Sequence, residues 1–221
     1  MQEEMIQNRE VLIEELRGII VREISRINDI YRRGPSLYFY RRIIQLRREH
    51  PRVSDFIASD YCIEIAYATL VSWDMNSRGA KMKDFELFRA NLRANRRVFE
   101  ELEELSRGFS YQNARDVLEC LSRVYDSTEL MVSGGKLVAC SKCLHFIFPS
   151  VCMPMDRRNT LMKIYGHTNE SKNKFMELVH LSYDVLAGIQ ERTLYLDEEW
   201  NAFETKLVDN AILLKAPNQA L

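Results

Sequence analysis

Apolar residues recur at steps of three and four through most of this 221-residue chain. That period lines them along one side of a helix. In the first such run Ile13, Leu16, Ile20, Ile24, Ile27 and Tyr31 share a face, so residues 3–31 are expected to form one long helix. Two-residue alternation never persists and no internal repeat is evident, so a sheet has no pattern to build on. The expected fold class is all-α, with nine to ten helices in a compact orthogonal bundle. One domain over 1–216, or two lobes, accounts for the length, and 217–221 reads as a loose C-terminal tail.

Stop and start signals divide the run. Gly34-Pro35 ends the first helix, and Pro35 begins a second that closes near His50-Pro51. Ser54 can cap a short turn. Asp60 can cap a helix reaching about Trp73, whose middle, YCIEIAYATLVSW, is nearly all apolar and therefore central. The polar loop 74–83 follows, carrying Arg78 and Lys81. Asp84 caps the next helix, whose pattern weakens over 94–97 and resumes up to Gly108. Ser110 or Asn113 opens a helix with Val117, Leu118, Leu121, Val124 and Tyr125 inward. Arg157–Tyr165 is a short helix ended by Gly166, Ser171–Gln190 is another, and Asp197–Lys215 is the last. The last carries Trp200, Phe203, Leu207, Ala211 and Leu214 as its apolar stripe.

Charge and cysteine usage narrow the setting. The net charge is −1, which by itself selects no polyanionic partner. Locally the balance is uneven: Arg32, Arg33, Arg41, Arg42, Arg47, Arg48 and Arg52 face one acid, Glu49. Because they come in pairs they spread around the helix, which reads first as a solvated mixed face and second as a phosphate-contacting surface. No apolar run reaches 18 residues, so no membrane span is expected, and the acidic start MQEEMIQNRE does not look like a secretory signal. Cys62, Cys120, Cys140, Cys143 and Cys152 are odd in number and sit in apolar patterns, so reduced thiols in a cytoplasmic protein are expected.

Chemistry concentrates in residues 133–160, SGGKLVACSKCLHFIFPSVCMPMDRRNT. Cys140 and Cys143 lie one turn apart, and zinc could use them with Cys152 and His145 or His167. Structural zinc sites pair two tight cysteine clusters, however, so buried inert thiols are the better reading and no metal is expected. His145 reads as a core histidine that satisfies a backbone carbonyl. Phosphate-binding glycine loops, a nucleophile elbow and paired metal-binding histidines are all missing from the sequence. What remains is Lys142 and Asp156. A lysine on an apolar helix can be deprotonated by desolvation and act as an amine nucleophile. An aspartate after a proline-containing loop can cap the following helix and still point at a substrate.

A glycine-bearing stretch at Ser133–Lys142 in the hairpin's place, Lys142 in the place of the helix-borne lysine, and Pro154-Met155-Asp156 at a helix start come in an order that resembles the helix-hairpin-helix DNA glycosylase superfamily. The run SK-x-LHF-x-x-P…P-x-D is also similar to an uncharacterised archaeal and bacterial all-helical family. The superfamily resemblance implies that Lys142 attacks the sugar carbon and that Asp156 stabilises the cationic charge developing there. It further implies that Ser133–Ala139, with Gly134, Gly135 and Lys136, grips a DNA phosphate. Arg157 and Arg158 would contact phosphates, and loop 74–83, with Arg78 and Lys81, would stand where the family wedges the duplex. The four-cysteine iron–sulfur motif of some members is absent, so no cofactor is implied. The expected function is therefore DNA binding with base excision on a flipped base. The alternative is a non-enzymatic helical domain that binds a protein partner, with Asp156 only a cap and Lys142 exposed. A zinc-stabilised helical module is the third reading. The first helix could pack within the domain or against a second chain, which leaves the oligomeric state open.

Overall fold

The structure, a computed structural model, describes residues 8–31, 34–75, 80–112 and 114–216. Among these residues the chain is all-helical and forms no strand, as the three-to-four period dictates. Arg32, Arg33, Arg78 and Asn113 lie outside the described residues.

The first expected helix is real but broken. Helix α1 (Arg9–Glu23) tightens into a 3-10 turn over Ile24–Arg26 and finishes as α2 (Ile27–Ile30). Glu23 leaves helical geometry at φ −132°, yet Leu16, Ile20, Ile24 and Ile27 stay on the buried side. Pro35 opens α3 (Pro35–Glu49), where its missing N–H costs nothing. Helix α4 (Val53–Ala58) is not capped by Ser54, which sits inside it. Its first N–H, from Val53, instead donates to the Glu103 carboxylate at 2.8 Å. Likewise α5 (Asp60–Ser72) is capped by Ser59 rather than Asp60, the Ser59 hydroxyl accepting from the Cys62 N–H at 3.3 Å.

Asp84 does cap α6 (Phe85–Ala94), accepting from the Leu87 N–H. The weak pattern at 94–97 is a true break at Asn95, whose buried amide donates to the Asn91 and Ser127 carbonyls, and α7 (Arg96–Ser106) follows. Helix α8 (Arg115–Ser127) starts after Ala114 with no side-chain cap, so Ser110 does not open it. Next come α9 (Leu137–Ile147), a π-helical turn over Arg157–Leu161 leading into α10 (Met162–Tyr165), and α11 (Lys172–Ala187). Gly166 ends α10 at φ +75°, a left-handed conformation that suits glycine. The last helix, α12 (Glu204–Leu214), begins later than Asp197. The Asp197 carboxylate gathers the Glu199 and Asn201 N–H groups into a turn at 2.7 and 2.9 Å, and this local bonding wins over helix there.

Buried apolar side chains from the whole run form one continuous cluster. Helix α3 packs on α5, α7 on α8, α1 on α12, and α9 lies among α3, α5 and α11. All eleven residues of α9 are buried, Lys142 and His145 included. A helix apolar on every side is what a central position requires.

Candidate active site

Lys142 leaves the middle of α9 and ends beside the carbonyl of Trp73, donating to it at 3.2 Å. Its ammonium stands 5.6 Å from the centre of the Trp73 ring and 3.8 Å from Oδ2 of Asp156. The sequence-predicted pair thus meets in space, and Lys142 is 7% exposed, not on the surface as the partner-binding alternative required. Burial pulls its pKa below the ordinary lysine value, and the nearby charges of Asp156 and Asp209 offset part of that fall.

Asp156 is the N-cap of the turn that follows, as its sequence position suggested. Its Oδ1 accepts from the Arg158 N–H at 2.9 Å and from the Asn159 N–H at 3.0 Å. The Thr160 hydroxyl closes the box by accepting from the Asp156 N–H at 2.9 Å. One oxygen is tied to the cap, and the other faces Lys142. The preceding loop is pinned to α9 by Ser141, whose hydroxyl accepts from the Met155 N–H at 3.1 Å. Asp156 therefore has a fixed height relative to Lys142.

Both residues line a cavity of about 280 Å³ walled by Tyr31, Trp73, Trp200 and Met155. Its floor was not read from the sequence. Lys206, Asp209 and Asn210 project into it from α12, and Lys206 and Asp209 are 4% and 6% exposed. The Lys206 ammonium pairs with Asp209 and donates to Asn210 Oδ1 at 2.9 Å. The Asn210 amide continues to the Trp200 carbonyl at 2.9 Å and to Asn201 Oδ1 at 2.8 Å. Burial pushes the Asp209 carboxyl upward against the pull of Lys206. The available signal was the polar stripe at i, i+3 and i+4 within ETKLVDNAILL, an otherwise apolar helix.

The aromatic walls are held in place. Trp200 donates its indole N–H to the Tyr31 carbonyl at 3.2 Å, and Trp73 donates to the Ser36 carbonyl at 3.3 Å. Tyr40 stacks on Trp200 and donates its hydroxyl to His145 Nε2 at 2.9 Å. His145 Nδ1 donates to the Cys152 carbonyl at 2.9 Å, the carbonyl-satisfying role expected of it. Both ring nitrogens are thus used, and full burial pulls the pKa down to about 3 against the raising effect of the Cys152 bond, so the ring is neutral. It therefore has no nitrogen left for the zinc set weighed with Cys140, Cys143 and Cys152. Among the described residues no group of three or more His, Cys, Asp or Glu side chains is placed to hold a metal ion.

A second cavity, of about 320 Å³, adjoins the first through Trp73, Asp74, Lys142 and Asp156. Gly135, Arg157 and Arg158 line it. Residues 80–83 pair with 130–133, through the Met82–Met131 bridge and the bond from the Val132 N–H to the Lys81 carbonyl at 2.8 Å. That pairing brings Lys81, which is exposed, beside Ser133 and the adjoining Gly134. Arg158 is exposed as well. Lys136 is turned away, its ammonium on the Asp126 carbonyl at 2.9 Å and over the Tyr125 ring.

The expected phosphate-gripping turn takes a different form. From Leu137 onward it is helix, and the Leu137 N–H is bound by the Glu170 carboxylate at 2.7 Å. The other Glu170 oxygen pairs with Arg157 at 2.5 Å. A Cβ on Gly135 would stand 2.2 Å from the end of the Arg157 side chain, which would have to shift to admit it. Of the arginines on α3, Arg47 is structural: it donates to the Ile147 carbonyl at 2.7 Å and pairs with Glu103 at 3.0 Å. Arg41 and Arg48 remain exposed.

Among the described residues no helix is long and apolar enough to cross a membrane. Compared with known proteins, the chain matches no family model, no curated protein and no solved structure.

Proposed function

We propose that this protein binds duplex DNA and cleaves the N-glycosidic bond of a base flipped into the cavity, with Lys142 as nucleophile. The observation that carries the reading is a desolvated lysine amine 3.8 Å from a carboxylate oxygen left over from a helix cap, on an aromatic-walled cavity. Desolvation raises the fraction of neutral amine, the form that attacks. The amine nitrogen bonds to the sugar C1′ as the glycosidic bond breaks, and the leaving base takes up a proton. Opening of the sugar ring then passes a proton to O4′ and leaves an iminium between Lys142 and C1′. Of the two protons consumed, the amine releases one and solvent supplies the other. Asp156 stabilises the positive charge that builds on the sugar. Arg157, Arg158 and Lys81 supply the phosphate contacts, which makes affinity fall steeply with salt.

Borohydride trapping tests this on duplexes carrying an abasic site or oxidised bases. Wild type gives a covalent adduct, Lys142→Ala gives none, and Asp156→Asn, which keeps a good cap but loses the charge, gives much less. Absence of an adduct together with absence of salt-dependent binding would overturn the reading.

A further inference from the structure

Two lysine ammoniums converge on one indole. Lys142 lies 5.6 Å and Lys206 5.7 Å from the centre of the Trp73 ring. Lys206 is also 5.8 Å from the Trp200 ring, whose centre is 6.4 Å from that of Trp73. A tryptophan ring attracts a cation through its quadrupole, but two cations sharing one buried ring repel each other at low dielectric. The two sites are not equivalent. Lys206 is paired with Asp209 and bonded to Asn210, both on its own helix, so its charge is anchored. Lys142 has a backbone carbonyl at 3.2 Å and a carboxylate only at 3.8 Å. When one amine must give up its proton, Lys142 is the one that does.

We propose that Lys206 is a positioning residue for the amine chemistry of Lys142: its anchored charge, facing the same Trp73 ring, favours the free amine of Lys142. The proposal rests on Lys142 being the working nucleophile. The charged groups that act on Lys142 are Asp156 from the capping turn, Asp209 and Lys206 from α12, and Asp74 after α5. Of these, Lys206 alone favours loss of the proton, and the three carboxylates oppose it. Burial is the largest influence in the same direction, but it is common to the whole of α9. Lys206 is therefore the adjustable element.

The test is the pH dependence of reductive methylation of Lys142 by formaldehyde and cyanoborohydride, read by peptide mass spectrometry, with exposed Lys81 as internal reference. In wild type, Lys142 is modified at lower pH than Lys81. In Lys206→Gln, the Lys142 midpoint moves up, and labelling at fixed pH falls about tenfold for each pH unit that the midpoint rises. Lys206→Arg keeps the charge and leaves the midpoint near wild type. Because Lys206→Gln leaves Asp209 buried without its partner, the stricter comparison is Asp209→Asn against Lys206→Gln/Asp209→Asn. The double variant has the higher midpoint. An equal midpoint in that pair overturns the proposal. Parallel borohydride trapping on an abasic duplex separates this outcome from the larger reading. A wild type that labels early but forms no adduct removes the DNA chemistry and leaves the role of Lys206 standing.

Discussion

Asp156 and His145 show how single side chains were legible in part. The Asp-after-proline position announced a cap, and the structure adds that capping uses one oxygen and leaves the other for Lys142. His145 read as a core histidine because it sits in an apolar run, and both nitrogens are indeed satisfied inside the protein. Its neutrality has a measurable consequence. Burial lowers its pKa from 6.5 to about 3 in the folded protein, while the unfolded chain keeps the ordinary value. Above pH 6.5 the ring is neutral in both states and makes no pH-dependent contribution. As pH falls from 6.5 towards 3, only the unfolded state takes up the proton, so stability is lost at up to about 1.4 kcal/mol per pH unit. Urea unfolding between pH 7 and pH 4 should show this slope in wild type and a shallower one in His145→Gln. Equal slopes would mean that the ring is solvated in the folded state. Lys206, Asp209 and Asn210 were not legible, because an apolar-stripe reading of α12 counts what faces the core and passes over polar residues at the same depth.

Elements were read best where a cap or a glycine spoke locally. Asp84, Pro35 and Gly166 mark their helix ends as expected. Other helix starts rest on a partner distant in sequence. Val53 is served by Glu103, 50 residues away, and the start of α9 by Glu170, 33 residues away. No window of local sequence contains either bond. Glu103 also receives Arg47, and the two side chains are 13% and 12% exposed. One carboxylate therefore ties together α3, α4 and α7. Glu103→Ala leaves Arg47 partly buried without its carboxylate and the α4 N-terminus without its acceptor, a loss of about 3 kcal/mol. The lowered midpoint in urea at unchanged slope checks it, and a loss under about 0.5 kcal/mol would place the tie on the Ile147 carbonyl instead.

At the scale of the whole molecule, the all-helical class followed from the period of the apolar residues, and the expectation that Lys142 and Asp156 share a site came only with the glycosylase resemblance. The pairing of α12 with that site did not follow, because nothing in the sequence says which helix closes over which. The outcome is a candidate site set into the core itself, on a helix with no solvated side. Two lysines and an aspartate occupy volume that hydrocarbon could fill without desolvation cost. The chain thus gives up cohesion at its centre to keep ionisable groups there, and the sacrifice is reversible by substitution. Lys142→Met, close to lysine in length and free of charge, should raise the melting temperature by about 2–4 °C while abolishing any adduct. A lower melting temperature would mark the lysine as a strut. A higher one would identify this core as a place where selection has held fitness for a task above fitness for folding.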